Sequence, residues 1–148
     1  MSGCPGRAVR HLSSALIATL LIIACESALP IAPEGAYQVP HDALFLRIWT
    51  ETESCSGLNR IPQRTRRFLV PGERIVMRNG EIIASFYDPS ADIIYVSEGL
   101  RDDEWVLAHE ILHVLLIKIL GVRGHPPEYF EERCGIFGPG KADRIAAR

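Results

Sequence analysis

The chain is expected to form one small α+β domain, a twisted antiparallel sheet packed on a single buried helix, and three observations lead there. Its 148 residues are 47% hydrophobic and 23% charged, the composition of a packed globular domain,. The middle of the chain breaks into short β-type runs at Pro71-Gly72, Asn79-Gly80 and Asp88-Pro89,. Beyond these the period changes, and an apolar segment runs without Gly or Pro up to Gly121,.

In chain order, Arg7 and Arg10 precede an apolar run from Leu12 to Ala24 that is too short to span a bilayer comfortably, so residues 1–24 read as an export signal,. Ile22-Ile23-Ala24-Cys25 resembles the lipobox of bacterial lipoproteins. That resemblance implies an acylated Cys25 at the mature N-terminus, held in a membrane by roughly 0.8 kcal/mol per buried methylene. A plain secretory signal and an uncleaved anchor helix are the competing readings. All three take the domain out of the cytoplasm, to the cell envelope if anchored and to the medium if secreted.

Without the leader, the loss of Arg7 and Arg10 moves the formal charge from −2 to −4, which implies no nucleic-acid partner. The arginines at Arg60, Arg64, Arg66, Arg67, Arg74 and Arg78 alternate with polar and apolar residues and read as a solvated loop and strand face,.

Residues 25–40, with Pro30, Pro33, Gly35 and Pro40, read as a flexible tether,. The domain proper is expected over 41–135. Its first stretch, Ala43 to Trp49, fits either a strand or a helical turn,. Strands are then expected over Arg66 to Val70, Arg74 to Arg78, Glu81 to Tyr87 and Asp92 to Ser97, joined as an antiparallel meander,. Asn79-Gly80 predicts a type I′ hairpin, whose two central residues need positive φ.

Asp102 and Asp103 supply N-terminal capping for a helix from Trp105 to Leu120, which Gly121 ends,. Apolar side chains occupy nearly its whole circumference, so it is expected to be buried on all sides. At 16 residues it is too short to cross a membrane,. The Gly- and Pro-containing segment 136–148 reads as a loose tail,.

The helix carries His109-Glu110-Ile111-Leu112-His113, an H-E-x-x-H sequence. At 3.6 residues per turn the two histidines project from one face, about 6 Å apart, while Glu110 stands about 100° round and can reach a water on a shared metal. Burying all three without a partner would cost several kcal/mol, which a Zn²⁺ ion would offset. A third protein ligand is then needed. His125, in Gly124-His125-Pro126-Pro127-Glu128-Tyr129-Phe130, is favoured over the carboxylates Glu128 and Glu131, which stay open as rivals,. Three ligands and one open position describe a catalytic rather than a structural zinc site. Tyr129 or Arg123, close in sequence to His125, are candidates to stabilise an oxyanion.

With Cys4 in the leader and Cys25 at the lipobox, Cys55 and Cys134 remain for an oxidising compartment, where a disulfide is favoured over metal ligation because neither has CxxC spacing,.

The strand Asp92 to Ser97, the segment Trp105-Val106-Leu107-Ala108-His109-Glu110-Ile111-Leu112-His113 and the later Gly124-His125-Pro126-Pro127-Glu128-Tyr129 together resemble the minimal zincin core of SprT-like and WLM-type metalloproteases. The resemblance covers roughly 92–130,. It implies a strand leading into the active-site helix and a third ligand from the His125 segment. Pro126 stands where that family has glycine and Tyr129 where it has its aromatic. The zinc ribbon that many SprT-like proteins carry is absent, so their DNA-linked roles do not transfer. The chain is also similar to small exported bacterial proteins with a Cys-Ser-Gly segment and a terminal His-Pro segment ending in Cys around the HExxH helix. That second resemblance implies the pairing of Cys55 with Cys134.

The expected activity is zinc-dependent hydrolysis of peptide bonds in unfolded protein, by a monomer with Glu110 as general base. A peptide is expected to add along the strand Asp92 to Ser97, if that strand is the sheet edge. A non-catalytic metal-binding envelope lipoprotein and a metal-free adhesion domain are the alternatives.

Overall fold

In a computed structural model, residues 32–136 are described. The export signal, Cys25 and its lipobox, the first part of the tether and the tail from 137 lie outside the described residues. The tether gives up its last residues to the sheet: Tyr37–Val39 form β1, antiparallel to β2 (Arg66–Val70). At the other end Ile136 is buried, so the domain runs one residue beyond the expected boundary.

The stretch that fitted strand or helix is a helix, α1 (Ala43–Ser56). Asp42 caps it, accepting from Phe45 N–H at 2.8 Å,. Gly57, at φ 74°, closes it in the left-handed conformation, with its N–H on Glu53 C=O,. Phe45, Ile48, Trp49, Thr52 and Ser56 form its buried stripe,.

The four-stranded sheet has the order β1-β2-β6-β5, with β5 at Ser85–Asp88 and β6 at Ile93–Ser97. The expected meander is corrected in two ways. First, β2 and β6 are parallel, Phe68 facing Tyr95, so the sheet is mixed. The short hairpin β3 (Ile75–Val76) and β4 (Ile82–Ile83) leaves the sheet and pairs only with itself, and the chain re-enters through β5. This excursion is the crossover that a parallel pair requires. Second, β6 is an interior strand, and the edge beside the helix that carries His109 and His113 is β5. All five residues of β6 are buried because both sheet faces are covered,. Leu69, Ile94 and Val96 meet the helices, while Val70, Ile93 and Tyr95 meet Ile75 of the hairpin.

The turn at Asn79-Gly80 is also tighter in its demands than a type I′ loop. Gly80 N–H bonds Met77 C=O at 2.9 Å and Met77 N–H bonds Glu81 C=O at 2.8 Å. Only Gly80 has positive φ, at 83°, so one glycine suffices where two left-handed residues were expected,.

The HExxH helix, α2 (Glu104–Leu115), is capped by Asp103, which accepts from Trp105 and Val106 N–H at 3.0 and 3.1 Å. A π-helical turn, Leu116–Leu120, continues it to Gly121 at φ 69°. The expected burial on all sides is corrected: the face carrying Trp105, Ala108, His109 and His113 is half-buried, and full burial on the other faces ends at Leu116. Ile119 and Leu120 are exposed, and Lys118 reaches out to Pro89 C=O at 2.8 Å. Among the described residues no helix is long and apolar enough to cross a membrane.

Arg67 departs from the solvated arginine face. It is 1% exposed, donating to Asp42 at 2.9 Å and to Arg101 C=O at 2.5 Å, with its guanidinium over the Phe45 ring. Asp42 thus caps α1 and pairs a buried cation. Replacing Asp42 with Ala is expected to cost about 3 kcal/mol in chemical denaturation, because the buried charge of Arg67 loses its counter-ion and the helix its cap. A loss no greater than about 1 kcal/mol would reduce Asp42 to a helix cap.

Candidate metal centre

His109 and His113 lie one turn apart on α2 and face the same way, as the four-residue spacing requires,. Gly121 and Gly124, at φ 69° and 82°, turn the chain back so that His125 meets them,. The three Nε2 atoms form a triangle with edges of 3.1, 3.1 and 3.2 Å. Among the described residues, these three are the group close enough to share a metal ion. Three ring nitrogens converging on one point cannot satisfy one another with protons alone, and neutral imidazoles present just the lone pairs a cation needs. An ion about 2.0–2.1 Å from each nitrogen in tetrahedral geometry would space them about 3.3 Å apart, close to the triangle observed.

The electrostatics favour the unprotonated rings. Burial pulls His109 down to about 3, with the neighbouring His113 and His125 adding to the effect. Burial and His125 bring His113 down to about 4, and burial lowers His125. A metal ion would therefore meet three neutral imidazoles at neutral pH, with little proton competition.

Phe130 forms the floor of the cluster. It is fully buried, and its ring lies 5.3, 5.1 and 4.8 Å from the rings of His109, His113 and His125. It sits in a π-helical turn, Glu128–Arg133, which begins just after Pro126-Pro127. Trp105 flanks His109 at 5.3 Å and donates its indole N–H to Ile136 C=O at 2.6 Å. Cys55 and Cys134 are joined by a disulfide, which ties the end of this turn to the last turn of α1. Arg133 adds a bond to Ser56 C=O at 3.2 Å.

Glu110 is 3% exposed and turns from the histidines toward β5. Ser85 Oγ donates to its Oε1 at 2.6 Å. Burial raises the carboxyl to about 7, against the opposing pull of the Ser85 hydroxyl and the Tyr87 backbone N–H.

The carboxylate rivals for the third ligand position have other settings. Glu128 pairs with Arg133 at 2.6 Å, and Glu131 is exposed. Tyr129 carries the Arg133 guanidinium 4.9 Å from its ring centre, and Arg123 is exposed in the loop between His113 and His125. Ser85 and Phe130 carry no role in the sequence reading. Ser85 is 25 residues from its partner in the chain, and a phenylalanine among glutamates gives no sign that it lies beneath three imidazoles.

Comparison with known proteins found no matching family model, no matching curated protein and no matching solved structure.

Proposed function

We propose that the chain is a zinc-dependent metallopeptidase, with His109, His113 and His125 as ligands and Glu110 as general base. The observation that carries this reading is the convergence of three Nε2 atoms within 3.2 Å beside a buried carboxylate one residue along the helix. Three imidazoles with a fourth position open are the donor set of catalytic zinc sites. Zinc, when bound, supplies a Lewis acid that lowers the pKa of water toward 7 and polarises a carbonyl. Glu110 takes one proton from the attacking water as the new C–O bond forms. It returns that proton to the amide nitrogen as the C–N bond breaks, leaving a carboxyl and an amine. A site that only stored metal would have no use for the buried Glu110.

The substrate edge moves from β6 to β5. Ser97 N–H bonds Ala84 C=O at 3.0 Å, so alternation along the antiparallel pair turns the backbone groups of Ser85 and Tyr87 away from β6,. An extended peptide adding to this edge, where the Tyr87 N–H already serves Glu110, would be held by the other outward-facing main-chain groups with weak side-chain selectivity, as suits unfolded protein. Zinc content and hydrolysis of an unfolded protein panel test the proposal together. About one zinc per chain with cleavage supports it; full zinc without cleavage leaves a metal-binding protein.

Replacing His125 with Ala is expected to lower zinc affinity at least tenfold, while Glu128→Ala and Glu131→Ala leave it within about twofold. Unchanged binding in the His125 variant would hand the third position to a carboxylate.

For location, we infer an envelope lipoprotein from the lipobox at Ile22-Ile23-Ala24-Cys25,. Mass spectrometry of the mature N-terminus should find an acylated Cys25, lost in Cys25→Ser; an unmodified N-terminus elsewhere would make it a secreted protein.

A further inference from the structure

The strand that borders Glu110 places a hydroxyl where the reaction needs the carboxylate held still. Ser85 is the first residue of β5, in the run Ile82-Ile83-Ala84-Ser85-Phe86, otherwise wholly apolar. Its Oγ lies 2.6 Å from Oε1 of Glu110. The other oxygen, Oε2, is buried with no hydrogen-bond partner among the described residues. A buried polar atom without a partner costs free energy and calls for an explanation, of which a catalytic role is one; here it belongs to a carboxylate one residue along the helix from His109,.

The hydroxyl itself is fixed from several directions. Ala84, just before it, is bonded to Ser97. Phe86, just after it, stacks on Tyr95 with ring centres 4.7 Å apart. Tyr87 is tied by its own hydroxyl to Asp92 at 2.7 Å. Asp92 in turn accepts from Thr65 at 3.1 Å and pairs with Arg60. It adopts φ 55°, the left-handed conformation that aspartate tolerates better than most residues,. The short serine side chain on this braced strand has one rotatable bond to its oxygen, so its position transmits little slack to Glu110.

We propose that Ser85 is the positioning residue for Glu110: its hydroxyl fixes Oε1 and thereby presents Oε2 as the oxygen that receives the proton of water. The role rests on the peptidase reading for its consequence, though the orientation it imposes does not depend on turnover. Ser85 also lies on the free edge of β5, so the orientation of the base and the placement of an added peptide are set by one residue. Loss of the hydroxyl leaves the carboxylate with neither oxygen held by a side chain and only the Tyr87 backbone N–H acting on it, so its rotation about the last bonds is less restricted. Misplacing a reacting group by about 1 Å can cost about a hundredfold in rate.

The test compares wild type, Ser85→Ala, Ser85→Thr and Glu110→Gln as whole mature chains, with fluorescein-labelled casein as the probe. Ser85→Ala is expected to lower kcat tenfold to a hundredfold, with KM and zinc content within twofold of wild type. Ser85→Thr, which keeps an oxygen on the same carbon, should retain kcat within about fivefold. Crystal structures of the zinc-free proteins give a readout that needs no activity: one Glu110 rotamer in wild type and Ser85→Thr, and several in Ser85→Ala. An unchanged kcat and a single Glu110 rotamer in Ser85→Ala would overturn the proposal. So would loss of zinc or fold in both Ser85 variants, which would make Ser85 a packing residue. If wild type fails to cleave casein, the peptidase reading falls, and the rotamer comparison still decides whether Ser85 orients Glu110.

Discussion

Replacing Glu110 with Gln should leave zinc content and fold intact while peptide hydrolysis falls by about two to four orders of magnitude. The separation follows from where the side chain points. Glu110 is absent from the histidine cluster and directs its carboxylate to Ser85 on β5, so the change removes none of the nitrogens that would hold a metal. Glutamine preserves the volume in a site that is only 3% exposed, and its amide can still meet the Ser85 hydroxyl,. What it lacks is a lone pair basic enough to accept the proton of water. Folding should not suffer, because a buried neutral amide is easier to accommodate than a carboxylate that burial has raised to about 7,. Denaturant titration near and above neutral pH compares the two directly, and Gln should equal or exceed the wild type. Equal cleavage by both proteins would assign the activity to another site or to a contaminant.

The part of this site that was legible in the sequence is the part that lies on one helix. His109, Glu110 and His113 are separated by fixed angles once α2 forms, so four letters of spacing determine which side chains share a face. His125 was legible as the histidine beyond a glycine stop, and Cys55 with Cys134 as the two cysteines left after the leader and the lipobox. The long-range features were not. Ser85 reaches Glu110 only because β5 forms the sheet edge, and that depends on β3 and β4 leaving the sheet and packing on its far face. Local turn signals indicate where strands stop but not which neighbours they choose, so the parallel pairing of β2 with β6 is invisible to them,. Arg67 reads as a surface residue by type and is buried because Asp42 and the Arg101 carbonyl meet its guanidinium,. For α1 the signals were present in Asp42 and Gly57, a cap at each end, although the apolar spacing alone did not separate helix from strand.

Removing the disulfide by the paired change Cys55→Ala and Cys134→Ala should destabilise the domain by about 4.5 kcal/mol, from the entropy restored to an unfolded chain no longer closed over so long a loop. The two cysteines are 79 residues apart in sequence. Zinc affinity should fall as well, because the segment from His125 to Cys134 would lose its covalent tie to α1 and depend on non-covalent contacts such as the Arg133 bond to Ser56 and the packing of Phe130 and Ile136 on the helices. A bound metal does not replace the lost constraint. It joins His113 to His125 across only 12 residues, and closing so short a loop removes less unfolded-state entropy than closing the long one, by about 1.7 kcal/mol on a logarithmic dependence. Saturating zinc should therefore raise the denaturation midpoint of both proteins while a gap between them persists. Unfolding by guanidinium with and without zinc measures this. Coincident midpoints in the presence of metal would mean that the ion alone holds the His125 segment, and equal zinc affinities in the two proteins would place the disulfide outside the organisation of the site.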